Sequence, residues 1–153
     1  MDFEALKIAQ QLIKCFKRGG KVLLCGNGGS STMASHFAAE LVGHYLHPIK
    51  KPLNAIALND PANITAIGND RGFEYIFSRQ IEAIGKKSDI LIALSTSGRS
   101  KNVLQAIKQA KKQRIIVIDF PRGKGRNSGE VQNYQLALMH EIVEFVEQAF
   151  IGL

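Results

Sequence analysis

The chain has 153 residues, 45% of them hydrophobic and 22% charged, with 14 Gly, 4 Pro and a formal net charge of +7 at pH 7. That length fits one hydrophobic core and the apolar content excludes a disordered chain, so a single globular domain over residues 1–153 is expected. No apolar run approaches the roughly 18 residues that span a bilayer, and the start MDFEALK lacks a basic stretch followed by an apolar one, so no membrane partner and a cytoplasmic location are expected.

In chain order, Phe3, Leu6, Ala9, Leu12, Ile13 and Phe16 recur at helical spacing, which predicts a helix over 3–17 ended by Gly19-Gly20. Lys21–Cys25 (KVLLC) reads as a buried strand, GNGGS as a tight loop, and Ser31–Tyr45 as a helix through Met33, Phe37 and Leu41. Leu53–Leu58 is a second strand, followed by a short helix over Pro61–Ile67 and a longer one over Phe73–Ile84. Ile90–Leu94 is a third strand, ended by STSGRS; Asn102–Lys111 is a helix, Ile115–Asp119 a fourth strand, and Tyr134–Phe150 a closing helix. The stretch Pro121–Glu130, rich in Gly, Arg, Lys and Asn, reads as a mobile basic loop. Strands alternating with helices predict an α/β protein, a three-layer sandwich whose central parallel sheet is covered on both faces.

Cys15 and Cys25 show neither a CxxC pattern nor metal-type spacing, and both read as reduced core thiols. The positive charge asks for an anionic partner. The one dense cluster, Arg122-Gly-Lys-Gly-Arg126, has no interleaved aromatics, so no nucleic acid is expected and a phosphorylated small molecule is the better match.

Two loops suit a phosphate. In a parallel sheet, ligands collect at the carboxyl ends of the strands, where helix N-termini present free N–H groups. Gly26-Asn27-Gly28-Gly29-Ser30-Ser31 follows the first strand, and Ser95-Thr96-Ser97-Gly98-Arg99-Ser100 follows the third. Taken alone, the first is as readily a tight turn with a helix cap, whereas four hydroxyls in the second exceed what one cap requires. A Walker loop is absent, and GNGGSS puts Ser31 where a dinucleotide fingerprint needs its last Gly or Ala, with no acidic residue ending a strand some 20 residues later.

The segments CGNGGSSTMASHFAAELVG (25–43), LNAIAL (53–58), TAIGNDRGFEYIFSRQIEAIG (65–85) and DILIALSTSGRSKNVLQAI (89–107), in this order, resemble the SIS-domain family of phosphoheptose isomerases. The resemblance implies a flavodoxin-like doubly wound SIS fold, an aldose–ketose isomerase working on sedoheptulose 7-phosphate, and a homotetramer whose active sites include residues of neighbouring subunits. It places substrate contacts at Asn27, Gly28, Ser30, Asp70, Ser95, Thr96, Ser97, Ser100 and Gln132. It makes Glu40 and His140 the catalytic pair, and it makes His36, Glu40, Gln132 and His140 a zinc set of the kind reported for some members. The chain departs from the family between the fourth strand and the last helix, where only Pro121–Val131 intervenes and the family has a further strand. It also has His44 where Arg is common, and Asn133 and Gln135 where Glu and His are common.

The residues themselves are less specific than the resemblance. His36 and Glu40 stand four apart and share one helix face, which suits an ordinary surface pair as well as a site. His140, among Leu138, Met139 and Ile142, reads more readily as a satisfied core histidine. On a straight helix Gln132 lies about 12 Å from His140, too far for both to hold one ion from the same regular segment, so either Gln132 precedes the helix or one ligand comes from another subunit. His44 and His47, beside Tyr45, read as surface or cap residues. Retention of Glu40 and His140 argues against two rival functions on the same fold, a non-catalytic partner-binding protein of the replication-initiator-associating type and a sugar-phosphate sensor.

Overall fold

The computed structural model describes residues 2–152. Six helices and four strands follow one another as α1 (Phe3–Lys17), β1 (Val22–Cys25), α2 (Gly29–Val42), β2 (Ala55–Ala57), α3 (Pro61–Arg71), α4 (Ser78–Ile84), β3 (Ile90–Ala93), α5 (Lys101–Lys112), β4 (Ile116–Asp119) and α6 (Ser128–Gln148), with a 3₁₀ turn at Phe73–Tyr75. The four strands form one all-parallel sheet in the order β2-β1-β3-β4, with Val22 opposite both Ala55 and Ile90, and Ile90 opposite Ile116.

Successive side chains of a strand point to opposite faces, and the core divides accordingly. Val22, Leu24, Ile90 and Ile92 pack beneath α1, α2 and α6 with Leu12, Phe37 and Ile142, while Leu23, Cys25, Leu91 and Ala93 pack beneath α4 and α5 with Phe77, Ile81, Val103 and Ala106. This is the expected three-layer α/β sandwich. At the opposite end from the candidate loops, Asp89 ties the starts of β1 and β3: its carboxylate accepts from the Lys21 N–H at 3.0 Å, the Lys21 ammonium at 2.6 Å and the Lys86 N–H at 2.7 Å. Among the described residues no helix is long and apolar enough to cross a membrane.

The four strands fall where the sequence predicts them, and the helix ends differ for local reasons. α2 stops at Val42, not Tyr45, because Gly43 caps it and the next N–H groups bond elsewhere. The predicted 73–84 helix is a 3₁₀ turn followed by the shorter α4, and α3 runs on to Arg71. α6 begins six residues before the predicted Tyr134: Asn127 caps it by accepting from the Glu130 N–H at 3.0 Å, and Glu130 in turn accepts from the Arg126 backbone at 2.9 Å. These two side-chain caps outweigh the poor helix propensity of Ser128-Gly129. The basic connection is correspondingly short.

Candidate active site

The sheet order reverses direction between β1 and β3, and a parallel sheet binds ligands at such a switch point. The loops leaving these two strands are GNGGSS and STSGRS. Each contains a glycine in the left-handed region, Gly28 at φ 53° and Gly98 at φ 66°, where a side chain would strain the backbone. Asn27 and Asn102 join the loops through a reciprocal pair of amide hydrogen bonds, each 2.8 Å. The Ser95 hydroxyl accepts from the Gly98 N–H at 3.0 Å and lies 3.5 Å from the Ser100 hydroxyl. Ser97 accepts from the Arg99 N–H at 3.1 Å, and the Thr96 and Ser128 hydroxyls are 3.2 Å apart. Ser95, Thr96, Ser97 and Ser100 thus belong to one hydroxyl-rich turn, the candidate phosphate cup, in which only Ser95 and Ser100 face each other. Ser30 is almost completely buried against Gly26, and Ser31 faces Asn59, whose amide donates to its hydroxyl at 3.0 Å.

Arg122 was not singled out by sequence as part of this cup. Its Nε donates to the Ser95 carbonyl at 2.8 Å and its second guanidinium nitrogen pairs with Asp119 at 2.5 Å. The guanidinium lies so close to Gly98 that a Cβ there would stand 3.0 Å from it. The cup therefore has a cation at its side as well as hydroxyls, supplied by the run after β4 that reads only as a basic loop.

A second cluster lies further along α2. Glu40 is in the fourth turn of the helix, about 15 Å of helical rise beyond Ser30, and not in the first turns that face the loops. His36 Nε2 is 2.8 Å from Glu40 Oε1, and the imidazole of His140, from α6, meets that of His36 in a T-shaped arrangement with ring centroids 5.3 Å apart. Ligand atoms of His36, Glu40 and His140 all lie within 4.8 Å of one another. Two imidazoles and a carboxylate at this spacing are a donor set that could hold a metal ion. His140 is neither core nor free: Tyr45 stacks flat upon it, with centroids 4.7 Å apart and planes 12° from parallel. Sequence reading misses Tyr45, although an aromatic five residues past Glu40 was visible.

Gln132 belongs to α6 itself, so it does not precede the helix, and it stands two turns from His140. Its amide packs against Gly29, where a Cβ would come within 2.5 Å of it. Gln132 and His36 both line a groove of about 200 Å³ between α2 and α6, together with Thr32, Met33 and Leu136. Within one chain the groove links the first loop to the cluster. Asp70 is placed elsewhere, exposed in a cleft with Arg71, Arg79, Gln105 and Lys108. His44 is exposed beyond the end of α2, and Gln135 is fully buried with both amide atoms unpartnered.

A serine-rich loop at the switch point of a parallel sheet, with an imidazole–carboxylate cluster on the flanking helices, defines a doubly wound α/β domain with a candidate anion site. The SIS domain family profile matches residues 3–120. The chain is 44% identical to phosphoheptose isomerase of Campylobacter concisus, over 97% of this chain and 87% of that protein, and 40% identical to phosphoheptose isomerase 1 of Campylobacter jejuni, over 94% and 86%. The structure of phosphoheptose isomerase GmhA from Neisseria gonorrhoeae superposes with a TM-score of 0.86 at 33% identity, covering 94% of this chain and 85% of that one. This chain belongs to the phosphoheptose isomerase family of SIS-domain proteins.

Proposed function

We propose that the protein interconverts sedoheptulose 7-phosphate and D-glycero-D-manno-heptose 7-phosphate through an enediol. The observation that carries the reading is the meeting of Glu40 and His140, from helices a hundred residues apart, in a family member that keeps the serine cup. The cup and the free N–H groups of its loops hold the phosphate, with Asn27, Gly28, Ser30, Ser95, Thr96, Ser97 and Ser100 as its contacts. Anchoring the phosphate fixes the distant carbonyl, and such orientation can supply several kcal/mol of the barrier reduction.

Glu40 removes the proton from C1 of the ketose. The C1–H electron pair becomes the C1–C2 double bond of the enediol, and the carbonyl oxygen at C2 gains a proton. Glu40 then returns its proton to C2 while the O1 hydroxyl proton is taken up, leaving the aldehyde. His140 moves the proton between O1 and O2, a task suited to an imidazole near neutrality. The donor set fits a zinc ion held by His36, Glu40 and His140, in which case the 2.8 Å His36–Glu40 contact becomes shared coordination. Such an ion, when bound, polarises the carbonyl as a Lewis acid.

The protein is also proposed to be a single SIS domain, cytoplasmic, and to work as a homotetramer with shared sites. Gln132 shares a groove with His36 in one chain and lies about 12 Å of helix from His140; Asp70, in a separate cleft, is proposed to meet a sugar hydroxyl of a neighbouring copy's site. The test is ³¹P and ¹H NMR of sedoheptulose 7-phosphate incubated with the protein. An aldose 7-phosphate should accumulate to an equilibrium ratio with wild type and not with His140→Ala. Binding without turnover would favour a sensor in place of an enzyme.

A further inference from the structure

Glu147 is the one carboxylate among the described residues that is almost wholly buried in the helical layer near the cluster, 1% exposed, and the proposed reaction does not use it. It stands seven residues after His140, two turns along the same face of α6. Its Oε2 accepts from the N–H groups of Leu46 at 3.0 Å and His47 at 2.9 Å, and its Oε1 accepts from the N–H of Tyr45. Three consecutive N–H groups that would otherwise be left over after α2 ends are thus gathered on one carboxylate.

The consequence falls on Tyr45. With its backbone fixed by Glu147, its ring lies parallel to the His140 imidazole. The terminal torsion of a histidine is broad and roughly two-fold, so the ring turns easily unless something covers its face. A stacked aromatic covers that face and leaves the ring edge open, one nitrogen of which lies within 4.8 Å of ligand atoms of Glu40 and His36. We infer that Tyr45, clamped by Glu147, is a positioning residue that sets the plane of the His140 imidazole. Its phenol hydroxyl is not required for this; the ring is. The inference rests on the proposed role of His140, but the stack itself can be tested without any turnover.

The experiment compares Tyr45→Phe, Tyr45→Leu and Glu147→Gln with wild type, in the full chain as purified. In wild type the Tyr45 ring current shields the His140 ring protons. Tyr45→Leu keeps the apolar bulk and should move the His140 Hε1 resonance downfield, Tyr45→Phe should leave it in place, and Glu147→Gln should move it in the same direction as Tyr45→Leu. With sedoheptulose 7-phosphate, kcat of Tyr45→Leu should fall roughly tenfold with KM within about twofold, as expected when a reacting group is misplaced and not removed. Tyr45→Phe should restore kcat. A His140 resonance unmoved by Tyr45→Leu overturns the stack, and a moved resonance with unchanged kcat overturns the positioning role. Absence of wild-type turnover would instead sink the isomerase reading, and the resonance alone then decides whether Tyr45 fixes the imidazole.

Discussion

Asn27 and Asn102 hold the two candidate phosphate loops together by donating to and accepting from each other, 2.8 Å in each direction. Asn102 is almost fully buried and its Oδ1 also accepts from the Val103 N–H at 2.9 Å. Replacing it by Ala removes both loop-to-loop bonds and orphans a buried N–H, a loss of about 1–3 kcal/mol. Asn102→Ala should therefore raise KM for the phosphorylated substrate by roughly tenfold or more, with a smaller change in kcat. Steady-state kinetics checks this; an unchanged KM would mean that the two loops do not act as one binding unit.

Arg122 braces the same cup from outside. Arg122→Ala should raise KM by about tenfold, through the lost anchor on the Ser95 carbonyl and the lost positive charge beside the phosphate. Arg122→Lys should recover only part of it, because a lysine cannot reproduce a fork that reaches the carbonyl and Asp119 together. A full recovery with lysine would show that charge alone matters.

Burial in apolar surroundings pushes the Cys25 thiol up to about 12 and raises that of Cys15 as well. A thiol reacts as its thiolate, so neither should be labelled by an aromatic disulfide reagent at pH 8 in the native protein, and both should be labelled in guanidinium. Rapid native labelling of one equivalent would contradict the burial of both side chains.

Asp89 sits with its side chain 2% exposed between Lys21 and two backbone N–H groups. Asp89→Ala leaves a partly buried ammonium without its partner and should cost about 3 kcal/mol in denaturant unfolding. Because Asp89 lies at the opposite end of the sheet from the serine loops, KM and kcat of the folded variant should stay near wild type.

Much of this architecture was legible in the residues. Runs such as KVLLC and ILIAL are short, β-branched or leucine-rich and bounded by glycine or serine turns, which leaves little else for them to be. The helix ends were less legible because long-range groups decide them: α2 stops at Val42 where Glu147, a hundred residues later, takes the following N–H groups, and α6 starts at Ser128 because of a local exchange among Arg126, Asn127 and Glu130. The pairing of His36 with Glu40 follows from helical spacing, but that His140 joins them depends on how α2 packs on α6, which no spacing shows. Arg122 escaped for the same reason: in a run of Arg, Gly and Lys it looks like a solvated loop, and only the proximity of β4 to β3 brings it to Ser95.

The central claim is that Glu40 carries a proton between adjacent carbons of a phosphorylated heptose. Incubating sedoheptulose 7-phosphate with the protein in deuterium oxide and following the sugar protons by NMR tests it directly. Wild type should form aldose carrying deuterium at C2 in the fraction of turnovers in which the proton on Glu40 exchanges with solvent before it is returned, and Glu40→Gln should slow aldose formation by about 10²–10⁴-fold while still binding the sugar phosphate. Aldose formed by Glu40→Gln at the wild-type rate would contradict the account.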